Sequence, residues 1–268
     1  MSAVRVAVAG AGGRMGRALL DAATSTEGVQ LTGALDVAGS PCAGRDAGEL
    51  CAAAQGLVVA TDVSGALRGC DVLVDFTRPE GTLGHLRACR EARRALVIGT
   101  TGFAPAGLDE IRAAAKEIAI VMAPNMSIGV NVMLRLVELG SRALGPDYDV
   151  EVFEMHHRKK VDAPSGTAVG IGRAVAKGRG ISLSDVMESG RHGNTGARKT
   201  GAIGFAALRG GQVVGEHTLI FASATEHIAL THRAFDRRAF ATGAVRAALW
   251  VAGRKPGLYS MMDVLEMN

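Results

Sequence analysis

A basic segment near the middle of the chain combines the residue types that general acid–base chemistry requires. Residues 154–168 read EMHHRKKVDAPSGTA, so two adjacent histidines are followed closely by two lysines. Imidazole and ammonium groups can donate protons, and both can pair with the carboxylates of a substrate. A basic run is more often a solvated surface. Here the histidines follow a strand-like run, whose end projects side chains into a cleft, so we interpret the segment as a catalytic site.

The last residues of this segment predict an anion site. Pro164 is followed by SGTA, which has the composition of a helix start. The N–H groups in the first turn of a helix have no acceptor within the helix, and together with the helix dipole they bind anions. We therefore expect the amides of Gly166 and Thr167 to form an anion site.

A glycine cluster near the start of the chain lies between a strand-like run and a helix-like segment. Residues 6–16 read VAVAGAGGRMG, with the spacing G-x-x-G-x-x-G at Gly10, Gly13 and Gly16. Gly10 permits a sharp turn, Gly13 lets backbone N–H groups approach phosphate oxygens, and Gly16 lets the helix pack on the sheet. Asp36 follows Gly16 by 20 residues, at the end of the second strand-like run. A tight strand-to-helix turn would also need glycine, but this context predicts a dinucleotide pyrophosphate site.

The residues around Asp36 favour NADH over NADPH. Its carboxylate can accept hydrogen bonds from the hydroxyls of an adenosine ribose, and it would repel a 2′-phosphate. The next residue is Val37, so an arginine that would clamp the extra phosphate is missing from this position. Arg14 in the glycine loop could supply a substitute. The predicted cofactor is therefore NADH or NADPH, with NADH mildly favoured.

The elements that must position these residues begin with a βαβ pattern. The first 125 residues alternate short apolar runs with segments of helical periodicity, which is typical of a parallel sheet. Most of the runs are continuously apolar, as expected for strands covered on both faces. The predicted strands are 4–9, 29–35, 57–60, 72–76, 95–98 and 118–122, and the predicted helices are 14–24, 79–93 and 106–117.

After Asn125 the pattern changes. A helix-like stretch at 130–143 precedes a strand-like run at 149–155, and residues 237–252 are again helical in pattern. Three further runs, at 203–208, 212–222 and 228–232, have the spacing of an antiparallel meander. The predicted fold class is α/β, with an N-terminal Rossmann dinucleotide-binding domain (residues 1–127 and 238–268) and an α+β substrate domain (residues 128–237) with a mostly antiparallel sheet.

Composition limits the classes of function. Of the 268 residues 48% are hydrophobic, and the net charge is +4. The hydrophobic fraction excludes a mainly disordered chain, and no apolar run approaches the roughly 20 residues of a membrane span. The small net charge suits an anionic small molecule, and we expect neither nucleic acid nor a membrane as partner. The four cysteines show no C-x-x-C spacing, so we expect reduced thiols and a cytoplasmic location. The histidines show no metal-ligand spacing, so we expect no metal. We also expect no export signal.

Several segments together resemble the 4-hydroxy-tetrahydrodipicolinate reductases, also called dihydrodipicolinate reductases, of lysine biosynthesis. They occur in family order over nearly the whole chain, and the segment at 154–168 is the specific signature. The others are VAGAGGRMG at 8–16, DFTRPE at 75–80, GTTGF at 99–103, APNMS at 123–127 and VGEHT at 214–218.

The resemblance implies that NAD(P)H reduces a cyclic dicarboxylate imine or enamine to tetrahydrodipicolinate in the diaminopimelate pathway. By the family's motif, His156 is a proton donor or acceptor and Lys160 is the proton donor. His157 and the amides of Gly166 and Thr167 hold the substrate carboxylates. The resemblance also implies a homotetramer built through the sheet of the second domain. The implied cofactor-binding residues are Gly10, Ala11, Gly12, Gly13, Arg14, Met15, Asp36, Gly99, Thr100, Thr101, Ala123, Pro124, Asn125 and Met126.

Two alternatives stay open on the residues alone. One is another nicotinamide-dependent reductase on the same fold. The other is a dinucleotide sensor that binds nucleic acid through the basic segment, although the small net charge and the lack of a recognition-helix motif argue against it. Asp75 and Arg78 are expected to shape the cleft and not to catalyse. His217, His227 and His232 are expected to be structural.

Overall fold

The computed structural model describes residues 2–268. Within them the chain divides into two compact units. One comprises residues 2–128 together with Arg237–Asn268, and the other comprises Gly129–Asp236. These boundaries lie one residue from the predicted ones, whereas the roles of the two units stay predictions.

The described residues form twelve strands and nine α-helices, with short 3-10 turns at Ala47–Glu49, Ala52–Ala54 and Gly145–Asp147. The strands are β1 (Val4–Ala9), β2 (Val29–Leu35), β3 (Val59–Ala60), β4 (Val72–Asp75), β5 (Ala95–Ile98), β6 (Ala119–Met122), β7 (Asp149–His156), β8 (Met187–Ser189), β9 (Ile203–Arg209), β10 (Gly215–Ala222), β11 (His227–Ala234) and β12 (Gly257–Tyr259). The helices are α1 (Arg14–Ser25), α2 (Val63–Arg68), α3 (Pro79–Ala92), α4 (Pro105–Ala114), α5 (Ile128–Leu144), α6 (Gly166–Arg179), α7 (Leu183–Val186), α8 (Arg238–Val251) and α9 (Met261–Val264).

The first unit contains a seven-stranded sheet in the order β12-β6-β5-β4-β1-β2-β3, in which all neighbouring strands run parallel. The predicted α/β, Rossmann-like sheet is thereby confirmed. The direction of strand addition reverses between β1 and β4, which are hydrogen-bonded neighbours. Ligands of open parallel sheets bind beyond the carboxyl ends of the strands at such a reversal. Gly10 follows β1 and Asp75 ends β4, so the glycine loop lies at this point.

Helices cover both faces of this sheet. One core layer includes Leu19 of α1 and Val245 of α8, and the other includes Leu86 of α3 and Ile111 of α4, all fully or almost fully buried. Burying a side chain of this size contributes about 1.5–3 kcal/mol. The two layers together fix the strand ends from which the predicted cofactor loops begin.

The second unit contains a five-stranded sheet in the order β11-β10-β7-β9-β8. The expectation of a mostly antiparallel sheet was wrong: β10 pairs antiparallel with β7 and β11, but β9 pairs parallel with β7 and β8. The predicted meander fails because β7 lies between β9 and β10. The long connection through α6 brings the chain back to the same end of the sheet, and a return of this kind makes the next strand parallel.

β7 is therefore the central strand of the second sheet, paired along both edges. It ends at His156, so the basic segment begins at the carboxyl end of the strand. The predicted helix start is confirmed, because α6 begins at Gly166 with Ser165 as its N-cap. The Ser165 hydroxyl accepts a hydrogen bond from the Ala168 N–H at 3.2 Å. A Ser cap of this kind stabilises a helix by about 0.5–2 kcal/mol.

Candidate active site

The glycine loop of the first unit forms a tight turn from β1 into α1. Gly10 has a φ of +72°, and the Gly13 N–H donates to the Gly10 carbonyl at 3.0 Å. A Cβ on Gly16 would lie 2.0 Å from that carbonyl oxygen, so a larger residue cannot occupy the position. Gly13 is the N-cap of α1 and has no side chain to cap its first turn. The N–H groups of that turn are therefore placed to receive an anion.

Asp36 lies beside this loop at the end of β2. Its Oδ2 accepts from the Gly12 N–H at 2.8 Å and from the Cys42 thiol at 3.3 Å, and its Oδ1 accepts from the Val37 N–H at 2.8 Å. These bonds hold the carboxylate against the glycine loop, as binding of an adenosine ribose requires. Val37 is 72% exposed.

A cavity of about 170 Å³ opens between the ends of β1, β2 and β4. Asp36 and His85 both line it, together with apolar groups that suit an adenosine. The full lining is Gly10, Leu35, Asp36, Val37, Thr61, Val63, Thr77, Gly81 and His85.

A buried carboxylate supports this cavity. Asp75 is fully buried, and its Oδ1 accepts from the backbone N–H and the hydroxyl of Thr77, both at 2.7 Å. Its Oδ2 lies 2.6 Å from Nδ1 of His85. Burial raises the pKa of Asp75, but the bonds and charge from His85 and the bonds from Thr77 outweigh burial and leave the pKa below its ordinary value. The expectation that Asp75 shapes the cleft fits these contacts.

The two predicted loops at the nicotinamide half follow β5 and β6, on the same edge of the sheet. Gly99 approaches the Phe76 ring so closely that a Cβ would lie 2.2 Å from it. The Thr100 hydroxyl accepts from Thr82 at 2.9 Å and lies 3.4 Å from Oδ1 of Asp75, while Thr101 is exposed. Thr100 is thus part of the hydrogen-bond network that includes Asp75.

The loop after β6 can offer a cofactor mainly its backbone, because two of its side chains are buried. Ala123 and Met126 are buried at 4% and 1% exposure, so their side chains belong to the core. Oδ1 of Asn125 accepts a hydrogen bond from the Ser127 N–H at 2.9 Å, and this bond shapes the turn. Pro124 is exposed. The residues of this segment that can face a cofactor are therefore Pro124 and Asn125, together with the backbone.

In the second unit, His156 is joined to Glu154 by a bond of 2.6 Å between Nδ1 and Oε2. Glu154 is 1% exposed and also accepts two bonds of 2.8 Å from the Arg209 guanidinium and one of 3.0 Å from the Ser165 N–H. Burial raises the pKa of Glu154, but Arg209, His156 and the Ser165 N–H lower it below its ordinary value. Glu154 is therefore an anion held by three partners.

The imidazole of His156 is kept neutral at neutral pH. Its burial lowers the pKa, the Glu154 carboxylate raises it, and the positive charges of Lys160 and Arg209 lower it further, so that the net pKa lies below its ordinary value. With Nδ1 bonded to a carboxylate, Nε2 of the neutral ring has the lone pair. His156 can therefore accept a proton at Nε2 and return it.

His217 packs behind His156. The two rings meet edge to face with centroids 5.1 Å apart, and Nε2 of His217 lies 3.1 Å from the Ser165 hydroxyl. Burial, and in second place the repulsion by His156 when that ring is protonated, lower the pKa of His217 to about 3. His217 is thus a neutral packing partner, which fits the structural role expected of it.

The loop after β7 contains the remaining predicted residues. Lys160 Nζ pairs with Oδ1 of Asp162 at 2.9 Å, and its side chain is 20% exposed. Arg209 also donates to the Asp162 carbonyl at 2.7 Å, which ties this loop to Glu154. His157 is half-buried, and Gly166 is exposed, with open space where a Cβ would lie. His156, Lys160 and the start of α6 therefore belong to one connected cluster.

Family models match both parts of the chain. The model described as dihydrodipicolinate reductase, N-terminus, covers residues 4–126, and the C-terminus model covers residues 129–265. The chain belongs to the dihydrodipicolinate reductase family. The resemblance predicted from the sequence is thus confirmed.

Relatives of this family member match it over its full length. It is 53% identical over 265 residues to the 4-hydroxy-tetrahydrodipicolinate reductase of Thiobacillus denitrificans, covering 99% of each chain. It is 51% identical over 268 residues to that of Nitrosospira multiformis, covering 100% of each.

Solved structures share its fold. A dipicolinate-bound dihydrodipicolinate reductase from Paenisporosarcina matches with a TM-score of 0.75 at 23% identity, covering 97% of this chain and 98% of that one. GenD2 from gentamicin A biosynthesis, in complex with NAD, matches with a TM-score of 0.63 at 15% identity, covering 100% of this chain and 92% of that one. These two matches show the shared fold. The family membership and the Rossmann-like sheet of the first unit support a pyridine nucleotide as the cofactor.

Several residues outside the predicted set contribute to the sites of this reductase-family chain. Glu154 had a signal, because it stands two residues before His156 on a strand and so shares its face. Arg209 had none, because it lies 55 residues from Glu154 in sequence. His85 and Cys42 lie only ten and six residues from Asp75 and Asp36, but a single histidine or cysteine at such a spacing forms no recognisable pattern. Among residues 2–268 no group of three or more His, Cys, Asp and Glu side chains could hold a metal ion. None of the helices described is long and apolar enough to cross a membrane.

Proposed function

We propose that this chain reduces 4-hydroxy-tetrahydrodipicolinate, also named dihydrodipicolinate, to tetrahydrodipicolinate with NAD(P)H. The observation that carries the proposal is the buried His156, held through Nδ1 on an anionic Glu154 at the end of β7 with its Nε2 left for proton exchange. Membership of the dihydrodipicolinate reductase family supplies the reaction that this geometry supports.

The first unit would hold the dinucleotide, and its residues fit the group. The backbone of the glycine loop, Gly10 to Met15, would bind the pyrophosphate at the start of α1, and Asp36 would accept the ribose hydroxyls. The loops Gly99–Thr101 and Ala123–Met126 would flank the nicotinamide half. When bound, NAD(P)H supplies the hydride.

The second unit would bind the dicarboxylate and handle the proton. His157 and the amides of Gly166 and Thr167 would hold the carboxylates, because the first turn of α6 presents N–H groups that bind anions. Lys160 would leave its ion pair with Asp162 and contact the substrate instead. It would then donate the proton that neutralises the negative charge left on the substrate by the hydride. His156 would exchange a proton at Nε2. General acid–base assistance of this kind contributes about a hundredfold to ten-thousandfold in rate.

NADH is the proposed preference over NADPH. Asp36 is held in place by three bonds and would repel a 2′-phosphate, and the neighbouring Val37 offers no positive charge. Arg14 is exposed within the glycine loop and is the residue that could bind the extra phosphate instead. Comparing kcat/KM for the two nucleotides decides between them.

A homotetramer is the proposed assembly, supported by one exposed sheet face of the second unit. Phe153 of β7 and Leu208 of β9 are 41% and 48% exposed, and the strand register places both on the same face. Large apolar side chains on a contiguous exposed face mark interaction surfaces. A cytoplasmic location stays a prediction from the cysteine pattern.

A coupled assay tests the function. The purified protein is mixed with NADH and a dihydrodipicolinate synthase that forms the substrate in place. We expect NADH oxidation that requires the synthase product, is at least about 100-fold slower in His156→Gln, and is kept in His227→Gln, an exposed histidine on β11. If NADH is oxidised equally without the product, the chain is a different nicotinamide-dependent reductase. If there is no turnover and the basic segment binds DNA in a gel shift, the sensor alternative replaces the proposal.

A further inference from the structure

The carboxylate of Glu154 has its hydrogen-bonding capacity filled. Oε1 accepts from the Ser165 N–H at 3.0 Å and from Arg209 Nη2 at 2.8 Å. Oε2 accepts from Arg209 Nη1 at 2.8 Å and lies 2.6 Å from His156 Nδ1. An ionised carboxylate has about four lone-pair positions and no proton to give. The four contacts therefore occupy all the acceptor positions of the Glu154 carboxylate.

That filled carboxylate determines which ring nitrogen of His156 has the hydrogen. Oε2 can only accept, so Nδ1 must be the donor and Nε2 of the neutral ring must be the acceptor. A hydrogen on Nε2 would leave two lone pairs facing each other at 2.6 Å. This arrangement selects one tautomer of His156.

Arg209 keeps Glu154 in its charged form. It stands opposite His156 in the parallel register of β7 and β9 and forms a bidentate pair with the carboxylate. A buried anion without such a partner would be strongly destabilised. Because Nη2 also donates to the Asp162 carbonyl at 2.7 Å, the same guanidinium ties down the loop that contains Lys160.

From these contacts we infer that Glu154 is a positioning residue that fixes the Nδ1–H tautomer of His156 and so presents Nε2 as the proton acceptor, and that Arg209 holds Glu154 for that task. The inference rests on the proposed function for its effect on turnover, but the tautomer itself does not depend on it. The charged and titratable groups around His156 are Glu154, Arg209, Lys160, Asp162 and His217.

The first test needs no substitution. In ¹⁵N-labelled wild-type protein at neutral pH, the two ring nitrogens of His156 have different chemical shifts in the two tautomers. We expect Nδ1 to be protonated and Nε2 to be unprotonated. A spectrum with the hydrogen on Nε2, or with both tautomers equally populated, would overturn the inference. The wild-type protein could show this tautomer and yet not reduce the substrate. In that case the proposed function fails, but the inference that Glu154 fixes the tautomer of His156 stands.

The second test is Glu154→Gln, which keeps the shape and removes the charge. We expect kcat to fall by about 100-fold, the lower end of what acid–base assistance provides. The acidic limb of the pH profile should move to lower pH, because the carboxylate that stabilises the His156 imidazolium is gone, and the ring nitrogens should show mixed tautomers. A folded variant with wild-type kcat and an unchanged limb would contradict the inference.

The matched control is Glu138→Gln on α5. Glu138 is also nearly buried, with a side chain 9% exposed, and pairs with Arg135, Arg142 and Lys177 without contacting the basic segment. We expect its pH profile and the His156 spectrum to be those of the wild type. Where Glu154→Gln does not fold, Glu154→Asp keeps the charge, and we expect it to retain the Nδ1–H tautomer with a kcat between those of wild type and His156→Gln. Loss of the tautomer in that folded variant would overturn the inference.

Discussion

Nδ1 of His85, on α3, lies 2.6 Å from Oδ2 of Asp75, at the end of β4. The other carboxylate oxygen is bonded twice by Thr77, so both oxygens of a fully buried aspartate are engaged. His85 and Thr77 also line the cavity that contains Asp36. The wall of the candidate dinucleotide site is thus held in place by a charge that has no contact with solvent.

Replacing this charge should destabilise the protein in a pH-dependent way. For Asp75→Asn we expect a loss of about 1–3 kcal/mol in the free energy of unfolding at pH 7, the usual cost of unsatisfying a buried group. The pKa of Asp75 is lower in the folded than in the unfolded state, so its stabilisation is present above the unfolded pKa and is lost as the pH falls through the folded value. Urea unfolding from pH 7 down to pH 3 should show the difference between wild type and variant shrinking. A constant difference would contradict the charge argument.

Lys160→Ala should lower kcat by at least about 100-fold, because the proposed proton donor is removed. The dissociation constant for NADH should stay near that of the wild type, since Lys160 belongs to the second unit. Lys159→Ala is the matched control: this exposed lysine is the preceding residue, and kcat should be kept. Steady-state kinetics and fluorescence titration with NADH measure both quantities. Normal turnover in Lys160→Ala would remove Lys160 from the mechanism.

His156→Gln should slow turnover and abolish the acidic limb of the pH profile. Because burial lowers the pKa of His156 below its ordinary value of 6.5, the wild-type enzyme should keep its activity somewhat below pH 6.5 and lose it as the ring becomes protonated. The glutamine amide that replaces the imidazole does not titrate. The measurement is kcat between pH 4.5 and 8. A variant profile with the wild-type limb would assign that limb to another group.

Val37→Arg should shift the cofactor preference toward NADPH. Val37 is exposed beside Asp36, and a guanidinium there could bind a 2′-phosphate. Hydrogen bonds to charged groups contribute about 1.5–3 kcal/mol, so kcat/KM with NADPH should rise by about tenfold or more. Val58→Arg, at a 56% exposed position of the same unit outside the cavity lining, should leave the ratio unchanged. An unchanged ratio in Val37→Arg would mean that Arg14 or another residue determines the preference.

Phe153→Glu should reduce the assembly to a smaller species. The substitution places a charge in the centre of the exposed sheet face proposed to join subunits, whereas Phe235→Glu changes an 88% exposed phenylalanine outside the strands. Light scattering after gel filtration gives the mass of each. We expect a tetramer for the wild type and for Phe235→Glu. A monomeric wild type, or a tetrameric Phe153→Glu, would contradict the proposed interface.

The sequence predicted the first unit better than the second for a physical reason. β1, β2 and β5 have the predicted bounds, because strands of a parallel sheet are continuous apolar runs flanked by turn residues. The strand order of the second sheet depends on which strand pairs with β7, and local patterns do not contain that information. Only Val59–Ala60 of the predicted strand at 57–60 forms β3, and the three-residue β12 leaves too few residues for a pattern.

The candidate site divides in the same way. The glycine loop, Asp36 and the segment at His156 could be found because their residues are close in sequence. Arg209 stands 55 residues from Glu154 and is brought to it by the register of β7 and β9, so its part in the site required the structure. The burial of Ala123 also depends on packing.

The central position of β7 gives the two proposed proton-transfer groups different mechanical surroundings. His156 ends a strand that is hydrogen-bonded along both edges, so the amides of β7 should be among the slowest in the second unit to exchange with deuterium. Lys160 lies in the loop after this strand, where its N–H donates to the His157 carbonyl of the same loop at 3.0 Å, and its amide should exchange faster than those of β7. One group is thus fixed to the least deformable part of the unit, while the other can follow a substrate as it enters and leaves.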